Sequence, residues 1–146
     1  MNFSIPFCFP VPEIGLIINL IFKGQFIINH SIIICLNKGL DVVQASRFIE
    51  KGVSENIPLL RKLAIKYIHA PILSFSSGFK WTDSTQGFRG YSKRILLDPK
   101  VAPFRKIFNT YELLAYMSYR IPRLGYRCCE IATIRKYPKG KIPTKI

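Results

Sequence analysis

The chain has 146 residues, which is the length of one ordinary globular domain. Hydrophobic residues make up 49% of it, which is enough for a core, so the composition excludes a disordered chain. The formal net charge of +14 favours anionic partners, namely phosphate groups, an acidic bilayer surface or nucleic acid, without choosing among them.

Residues 1–40 are an atypical hydrophobic segment with little charge. Two apolar runs, at 14–22 and 26–36, are each shorter than the roughly 20 residues that a membrane-spanning helix needs. The start of the chain has neither the early positive charge nor the small-residue cleavage site of a signal peptide. The segment is compatible with a membrane-contacting hairpin, or with one helix and one β-rich run that pack on the domain.

A strand and a helix are expected next. Residues 41–49 favour a strand because Val42 and Val43 are β-branched, and Arg47 falls near its C-terminal end, where parallel sheets bind ligands. Residues 56–70 have the periodicity of an amphipathic helix that begins at Asn56 and ends or kinks at Pro71. Arg61 lies in its first turns, where a cation opposes the helix dipole, so this arginine is a candidate anion contact.

The central loop, residues 82–94, reads TDSTQGFRGYSKR. Its hydroxyl and carboxylate side chains are turn-formers, and Gly87 lets the backbone approach another group closely. A short strand that begins at Arg89 is expected to follow. We therefore expect Asp83 and Arg89 to meet at the mouth of a strand, although an ordinary turn with a local ion pair is the alternative.

The C-terminal part is expected to contain three elements. Residues 92–97 form a short helix or strand, and residues 111–124 form a helix with Thr110 as its N-cap. Glu112 lies in the first turn of this helix, Pro122 bends its last turn, and Gly125 closes it as a left-handed C-cap. Residues 126–137 favour a strand, and residues 138–146 form a basic tail.

The cysteines and histidines do not form a metal-binding pattern. Cys8, Cys35, Cys128 and Cys129 lack C-x-x-C spacing, so we expect reduced thiols in a reducing compartment and no metal site. Neighbouring residues on a strand point to opposite faces, so Cys128 and Cys129 are expected to lie on opposite sides of a sheet.

The central loop resembles the D-x-T-x-G-F-R-x-Y-S motif of family 2 glycosyltransferases, especially the branch similar to dolichol-phosphate mannosyltransferase. Upstream, DVVQASRFIEKG and PLLRKLAIKYIH resemble the D-[IV]-V-x-G-S-R-[FY] strand and P-x-x-R helix of that branch. Downstream, YELLAYMSYRIPRLGYRCCEIATIRKYPKG resembles its E-L-L helix, G-Y-[KR] turn and E-[IV]-P-V strand. The similarity extends from about Leu40 to the C-terminus.

This resemblance implies an α/β fold, in which a mixed sheet with packed helices forms the C-terminal part of a GT-A glycosyltransferase domain. Residues 41–137 would be the partial domain, preceded by the atypical segment 1–40. The implied activity is transfer of a sugar from a nucleotide-diphosphate sugar to a polyprenyl-phosphate or nascent glycan acceptor of the cell envelope. The implied location is cytoplasmic and peripheral to the inner face of a membrane.

The resemblance also assigns roles to five residues. Arg47, Arg61 and Arg89 match phosphate- or acceptor-contacting positions, and guanidinium groups bind phosphate bidentately. Asp83 matches the loop acid of the family and is the first catalytic candidate, with Glu112 as the second. A polyprenyl phosphate is already anionic, so it needs arginines to hold it more than a base to activate it.

The chain departs from the family in what it lacks. Its aspartates are Asp41, Asp83 and Asp98, so it has no D-x-D motif to hold the Mg²⁺ or Mn²⁺ expected for the full enzyme. Ala45 and Ala132 replace a usual glycine and proline. We therefore expect a truncated or rearranged family member that is inactive alone and binds no nucleic acid. The alternative is a non-catalytic basic protein that binds an anionic membrane surface or nucleic acid.

Overall fold

The computed structural model describes residues 14–18, 26–108 and 112–138. Three parts of the sequence analysis lie outside the described residues: Cys8, the expected N-cap at Thr110, and the basic tail from residue 139 onward. In chain order, the elements are β1 (Ile14–Ile18), α1 (Phe26–Asn37), β2 (Val42–Ser46), β3 (Val53–Glu55), α2 (Leu59–Ala64), α3 (Ala70–Ser77), β4 (Arg89–Ser92), α4 (Lys93–Leu97), α5 (Glu112–Arg123), β5 (Cys128–Ala132) and β6 (Ile134–Lys136).

A four-stranded mixed sheet with the order β1-β4-β2-β5 forms the centre of the protein. Strand β4 is antiparallel to both β1 and β2, whereas β2 is parallel to β5. Strands β3 and β6 form a separate two-stranded parallel sheet. The expected α/β fold with a mixed sheet and packed helices is therefore confirmed.

This topology brings three strand ends to the same edge of the sheet. The parallel strands β2 and β5 end there, and the antiparallel strand β4 begins there, with Arg89 opposite Gln44. We call this the carboxyl edge, and define it by Ser46 of β2, Arg89 of β4 and Ala132 of β5. The expected strand in residues 41–49 is confirmed as β2, and the strand beginning at Arg89 is confirmed as β4.

Helices cover both faces of the sheet. On one face of the sheet, Ile32 and Leu36 of α1 pack on Val43. On the other face, Val42 and Tyr91 pack in a second buried cluster, which includes Ile95, Met117 and Ile121. Helix α1 approaches so closely that a methyl group at Gly90 would overlap the Ile32 side chain. Helix α1, which lies within the apolar segment before residue 40, therefore shares its core with the sheet.

The two adjacent cysteines of β5 face opposite sides, as expected. Cys128 packs against the core on the α5 side, and Cys129 packs against the core under α1. Cys35, Cys128 and Cys129 are all free thiols. Burial raises the pKa of Cys128 and of Cys129 to about 12, so both stay protonated and are poor nucleophiles at neutral pH.

The helix expected over residues 56–70 has different ends from those predicted. It begins at Leu59 without a side-chain cap, and Asn56 instead adopts a positive φ and donates its amide to the Tyr137 carbonyl at 3.0 Å. Of the two alternatives expected at Pro71, an end or a kink, the end is wrong, because a π-helical turn over Ile65–His69 carries the chain from α2 into α3. The helix ends instead at Gly78, whose φ is +76°.

The π-helical turn explains how the helix accommodates its proline. The N–H of Ala70 bonds to the carbonyl of Ile65, five residues earlier, rather than to the one four residues earlier. Pro71 then follows within the first turn of α3, where a missing N–H costs little. The helix therefore continues past a residue that usually ends one.

The C-terminal elements follow the sequence more closely. Residues 93–97 are helical, Pro122 is inside α5, and Gly125 adopts a φ of +80° after the helix. The expected strand over residues 126–137 is two strands in different sheets, since β5 pairs with β2 and β6 pairs with β3. Within the described ranges, no helix is long and apolar enough to cross a membrane.

Candidate functional site

A buried ion pair between Arg47 and Asp83 lies at the carboxyl edge. Arg47 Nε donates to Asp83 Oδ2 at 2.6 Å, and Arg47 Nη2 donates to Asp83 Oδ1 at 2.7 Å. The exposed fractions of the two side chains are 1% and 0%. The Arg47 backbone N–H also donates to Oδ2 at 3.2 Å. This bidentate arrangement is the strongest geometry available to the two groups.

Two hydroxyl groups complete the surroundings of Arg47. Its Nη1 donates to the hydroxyl of Tyr137, which follows β6, and its Nη2 donates to the Thr85 hydroxyl at 2.8 Å. Burial alone would lower the pKa of Arg47, but the bonds to Asp83 outweigh it, and the pKa is raised. The guanidinium is therefore held firmly in its charged form. Thr85 is the exposed member of this group.

Glu130 of β5 anchors the start of the loop. Its carboxylate accepts the Thr82 hydroxyl at 2.7 Å, the Thr82 backbone N–H at 3.0 Å and the Asp83 backbone N–H at 3.3 Å. From β2, the Gln44 side-chain amide donates to the Asp83 carbonyl at 2.5 Å. Side chains from both parallel strands therefore fix the loop that carries Asp83.

The electrostatics of Glu130 differ from those of Arg47. Burial raises the pKa of Glu130, and the bonds from Thr82 and Asp83 oppose this shift without cancelling it. Its ionised form is consequently less favourable in the folded protein than in water. A carboxyl of this kind is easier to protonate than an exposed glutamate.

The expected meeting of Asp83 and Arg89 is wrong. The Arg89 guanidinium instead donates to main-chain carbonyls of Gln86 at 2.9 Å and Leu114 at 2.6 Å, and to the Ser118 hydroxyl at 2.6 Å. Arg89 is 1% exposed, so it joins the central loop to α5 from inside the protein. Asp83 is held by Arg47 because that arginine enters from the neighbouring strand end with the better bidentate geometry.

The remaining two candidates lie elsewhere. Arg61 is exposed on α2, and Glu112 is exposed at the start of α5. The structure therefore brings Arg47, Asp83 and Arg89 to the carboxyl edge, and does not place Arg61 or Glu112 among the contacts made there. Neither Arg47 nor Arg89 presents its guanidinium to solvent in this arrangement.

The described residues do not fit the divalent metal that the resemblance implies. Within the described parts of the chain, no group of three His, Cys, Asp or Glu side chains could hold a metal ion. Asp83 is paired with Arg47, and Asp41, at the opposite end of β2, is paired with Arg94 at 2.7 Å. We therefore derive no chemical step that passes through a metal.

Sequence reasoning missed three members of this site, namely Glu130, Thr85 and Tyr137. Glu130 carried a usable signal, because it is the one acid among many basic residues after Arg120 and it lies within a strand. Thr85 lay inside the singled-out loop, but nothing in its spacing pointed to Arg47. Tyr137 gave no local signal, since its contact with Arg47 spans 90 residues.

A shallow depression elsewhere on the surface is lined by residues 96–99 and 102–105, at and after the end of α4, and includes none of the site residues.

No family model, no curated protein and no solved structure matches the chain.

Replacing either member of the buried pair should destabilise the protein strongly. We expect Arg47→Ala and Asp83→Ala each to lower the free energy of unfolding by about 3–5 kcal/mol in urea denaturation, because each leaves an uncompensated buried charge. The double variant Arg47→Ala with Asp83→Ala should cost less than the sum of the two single changes, because it leaves no uncompensated buried charge. A double variant that costs the full sum would contradict the pairing.

The matched control is Lys136→Ala. Lys136 also contacts a carboxylate, that of Glu55 at 3.0 Å, but its side chain is 71% exposed. Removal of an exposed partner should cost only about 0–1 kcal/mol. Single variants of the buried pair that cost no more than this control would show that the pair does not stabilise the loop.

Glu130 should give the stability a distinctive pH dependence. Its pKa is raised on folding, so its favourable contribution is complete below the ordinary glutamate pKa of about 4.3 and is lost as pH rises through the raised value. Glu130→Gln cannot titrate. We expect the unfolding free energy of the wild type, minus that of Glu130→Gln, to fall as pH rises across this window. A difference that rises with pH would contradict the assignment.

Proposed function

We propose that the chain is the acceptor-side portion of a family 2-like glycosyltransferase with a GT-A-like fold. In this proposal, the full activity transfers a sugar from a nucleotide-diphosphate sugar to a polyprenyl-phosphate or nascent glycan acceptor at the cytoplasmic face of a membrane. This chain holds the acceptor side and does not transfer sugar by itself.

The observation that carries the proposal is the meeting of three separated segments at one edge. Arg47 comes from the D-V-V-Q-A-S-R strand, Asp83 from the D-S-T-Q-G-F-R loop and Glu130 from the C-C-E-I-A strand. All three lie in one hydrogen-bonded network at the carboxyl edge. Ligand sites of α/β sheets form at such edges, which supports a shared functional role for these motifs.

The chemistry of this edge suits an anionic acceptor. Thr85 is the exposed member of the network and contacts Arg47 Nη2. In this proposal a phosphate binds at the exposed Thr85 hydroxyl, beside the buried pair of Arg47 and Asp83, and feels the positive charge of Arg47 without displacing Asp83. The Asp83 carboxylate partly neutralises the positive charge of Arg47, and Glu130 accepts a hydrogen bond from the Asp83 backbone N–H and so holds Asp83 in position. No general base is required, because a phosphate oxygen is already anionic at neutral pH.

The same geometry supports inactivity of the isolated chain. Arg47 and Arg89 are both buried and bonded within the protein, and the sequence has no D-x-D motif for the metal of the donor site. The departing diphosphate of a nucleotide sugar needs a metal or free cations to stabilise it. The alternative function is a non-catalytic basic protein that binds an anionic membrane surface or nucleic acid, and the internal use of both arginines is compatible with it.

Calorimetry separates these functions. With Mn²⁺ and either UDP-glucose or GDP-mannose, we expect no metal-dependent binding and no turnover from a folded sample. With geranyl phosphate as a soluble acceptor probe, we expect binding that Thr85→Val weakens about fivefold through loss of one hydrogen bond. Lys136→Ala, which removes an exposed cation from β6, is the control and should bind normally.

Two results would overturn parts of the proposal. Metal-dependent binding or turnover of the nucleotide sugar would show that the chain has a complete donor site. The acceptor role would be rejected if a folded sample did not bind geranyl phosphate. It would also be rejected if Thr85→Val and Lys136→Ala weakened this binding equally. Either result leaves the non-catalytic alternative.

A further inference from the structure

The helix formed by α2, the π-helical turn and α3 exposes an unusual amount of apolar surface. Leu60 is 81% exposed, although sequence periodicity marks residues 56–70 as an amphipathic helix, and Phe75 in the continuation of this helix is 94% exposed. Among its residues, only Ile65, Ala70 and Ser77 are buried. We call the following exposed set the apolar helical face: Leu60, Leu63, Tyr67, Ile68, Ile72 and Phe75.

The π-helical turn keeps this set on one side of the helix. Leu60, Leu63 and Tyr67 follow the three- and four-residue spacing of an α-helical stripe, whereas Tyr67 and Ile72 are five residues apart. A five-residue step would leave the stripe in a regular α-helix, but one π-helical turn absorbs the extra residue. The irregular turn therefore aligns Ile72 and Phe75 with the residues before it.

The charged residues of the helix that carries the apolar helical face are all cations. Residues 56–82 contain no acid, and Arg61, Lys62 and Lys66 are exposed on the same helix. Arg123 of α5 adds a further cation, because its Nη1 donates to the carbonyl of Ser76 at 3.0 Å, next to Phe75. A partner of this surface must bury apolar side chains and also supply negative charge.

An anionic bilayer surface meets both requirements. We propose that the apolar helical face docks this protein in the plane of an anionic lipid surface, with its apolar side chains at the acyl boundary and its cations among the headgroups. A second copy of the chain would bring like charges together, which disfavours a dimer. Nucleic acid would satisfy the cations but would not bury leucine and isoleucine side chains.

The apolar helical face shares no residue with the network at the carboxyl edge, and its binding is measured without nucleotide sugar or acceptor. The transferase proposal and this one therefore fail independently. A protein of the proposed kind needs membrane contact to reach a lipid-linked acceptor, but docking by itself requires no catalysis.

Vesicle co-sedimentation tests the proposal directly. We expect the protein to bind phosphatidylcholine vesicles containing phosphatidylglycerol, to bind pure phosphatidylcholine vesicles far less, and to lose binding as salt is raised. Leu60→Ser and Phe75→Ser should each weaken partitioning roughly tenfold, since each removes a side chain that the lipid would bury. Arg61→Gln should weaken it about fivefold.

The matched control is Phe104→Ser, which removes an apolar side chain that is 71% exposed but lies after α4. It should bind anionic vesicles as the wild type does, and unchanged thermal unfolding should confirm that all variants fold. Three results would overturn the proposal. Phe104→Ser could lose as much binding as Leu60→Ser, or the protein could bind pure phosphatidylcholine vesicles as strongly as anionic ones. The third is a concentration-dependent dimer that Leu60→Ser breaks. Binding of duplex DNA that the same variants weaken instead of vesicle binding would also overturn it.

Discussion

The buried pairing of Arg47 with Asp83 is the constraint on which the carboxyl edge depends. Two charges removed from water must compensate each other and satisfy their remaining hydrogen-bonding groups, or folding becomes costly. Here the backbone N–H of Arg47 and the hydroxyls of Thr85 and Tyr137 complete that requirement. The pair therefore ties the loop after α3, the end of β2 and the residue after β6 into one unit. Glu130 adds the fourth connection, from β5.

The positive charge of the protein is divided between two roles. Arg47 and Arg89 act inside the fold, where carboxylate, carbonyl and hydroxyl oxygens surround their guanidinium groups. The exposed cations of α2, by contrast, lie beside apolar side chains that the fold leaves uncovered. Buried arginines organise the edge that we propose for the acceptor, and surface cations provide the attraction that we propose for a membrane. A mutation in either group should therefore leave the other role intact, provided that the protein still folds.

Local patterns predicted the features that depend on neighbouring residues. The β-branched pair at Val42 and Val43, the left-handed Gly125 and the opposite orientations of Cys128 and Cys129 all followed from short-range rules. Features that depend on tertiary contacts could not be found in this way. Asp83 has Arg89 close in sequence, yet its partner is Arg47, 36 residues away, because the parallel pairing of β2 with β5 decides which side chains reach the edge. Periodicity identified the apolar face of the helix, but only the fold shows that this face remains exposed.

The most direct test of the central claim is hydrogen exchange at the Nε–H group of Arg47, followed by nitrogen-edited NMR. A buried guanidinium that donates from Nε to Asp83 Oδ2 should give a separate signal whose proton exchanges slowly at neutral pH. The exposed Arg61 provides the internal reference and should exchange rapidly. We expect strong protection of the Arg47 Nε–H proton in the wild type and loss of this protection in Asp83→Asn. Exchange of the Arg47 proton as fast as that of Arg61 in the wild type would contradict the buried pair and the organisation of the edge that depends on it.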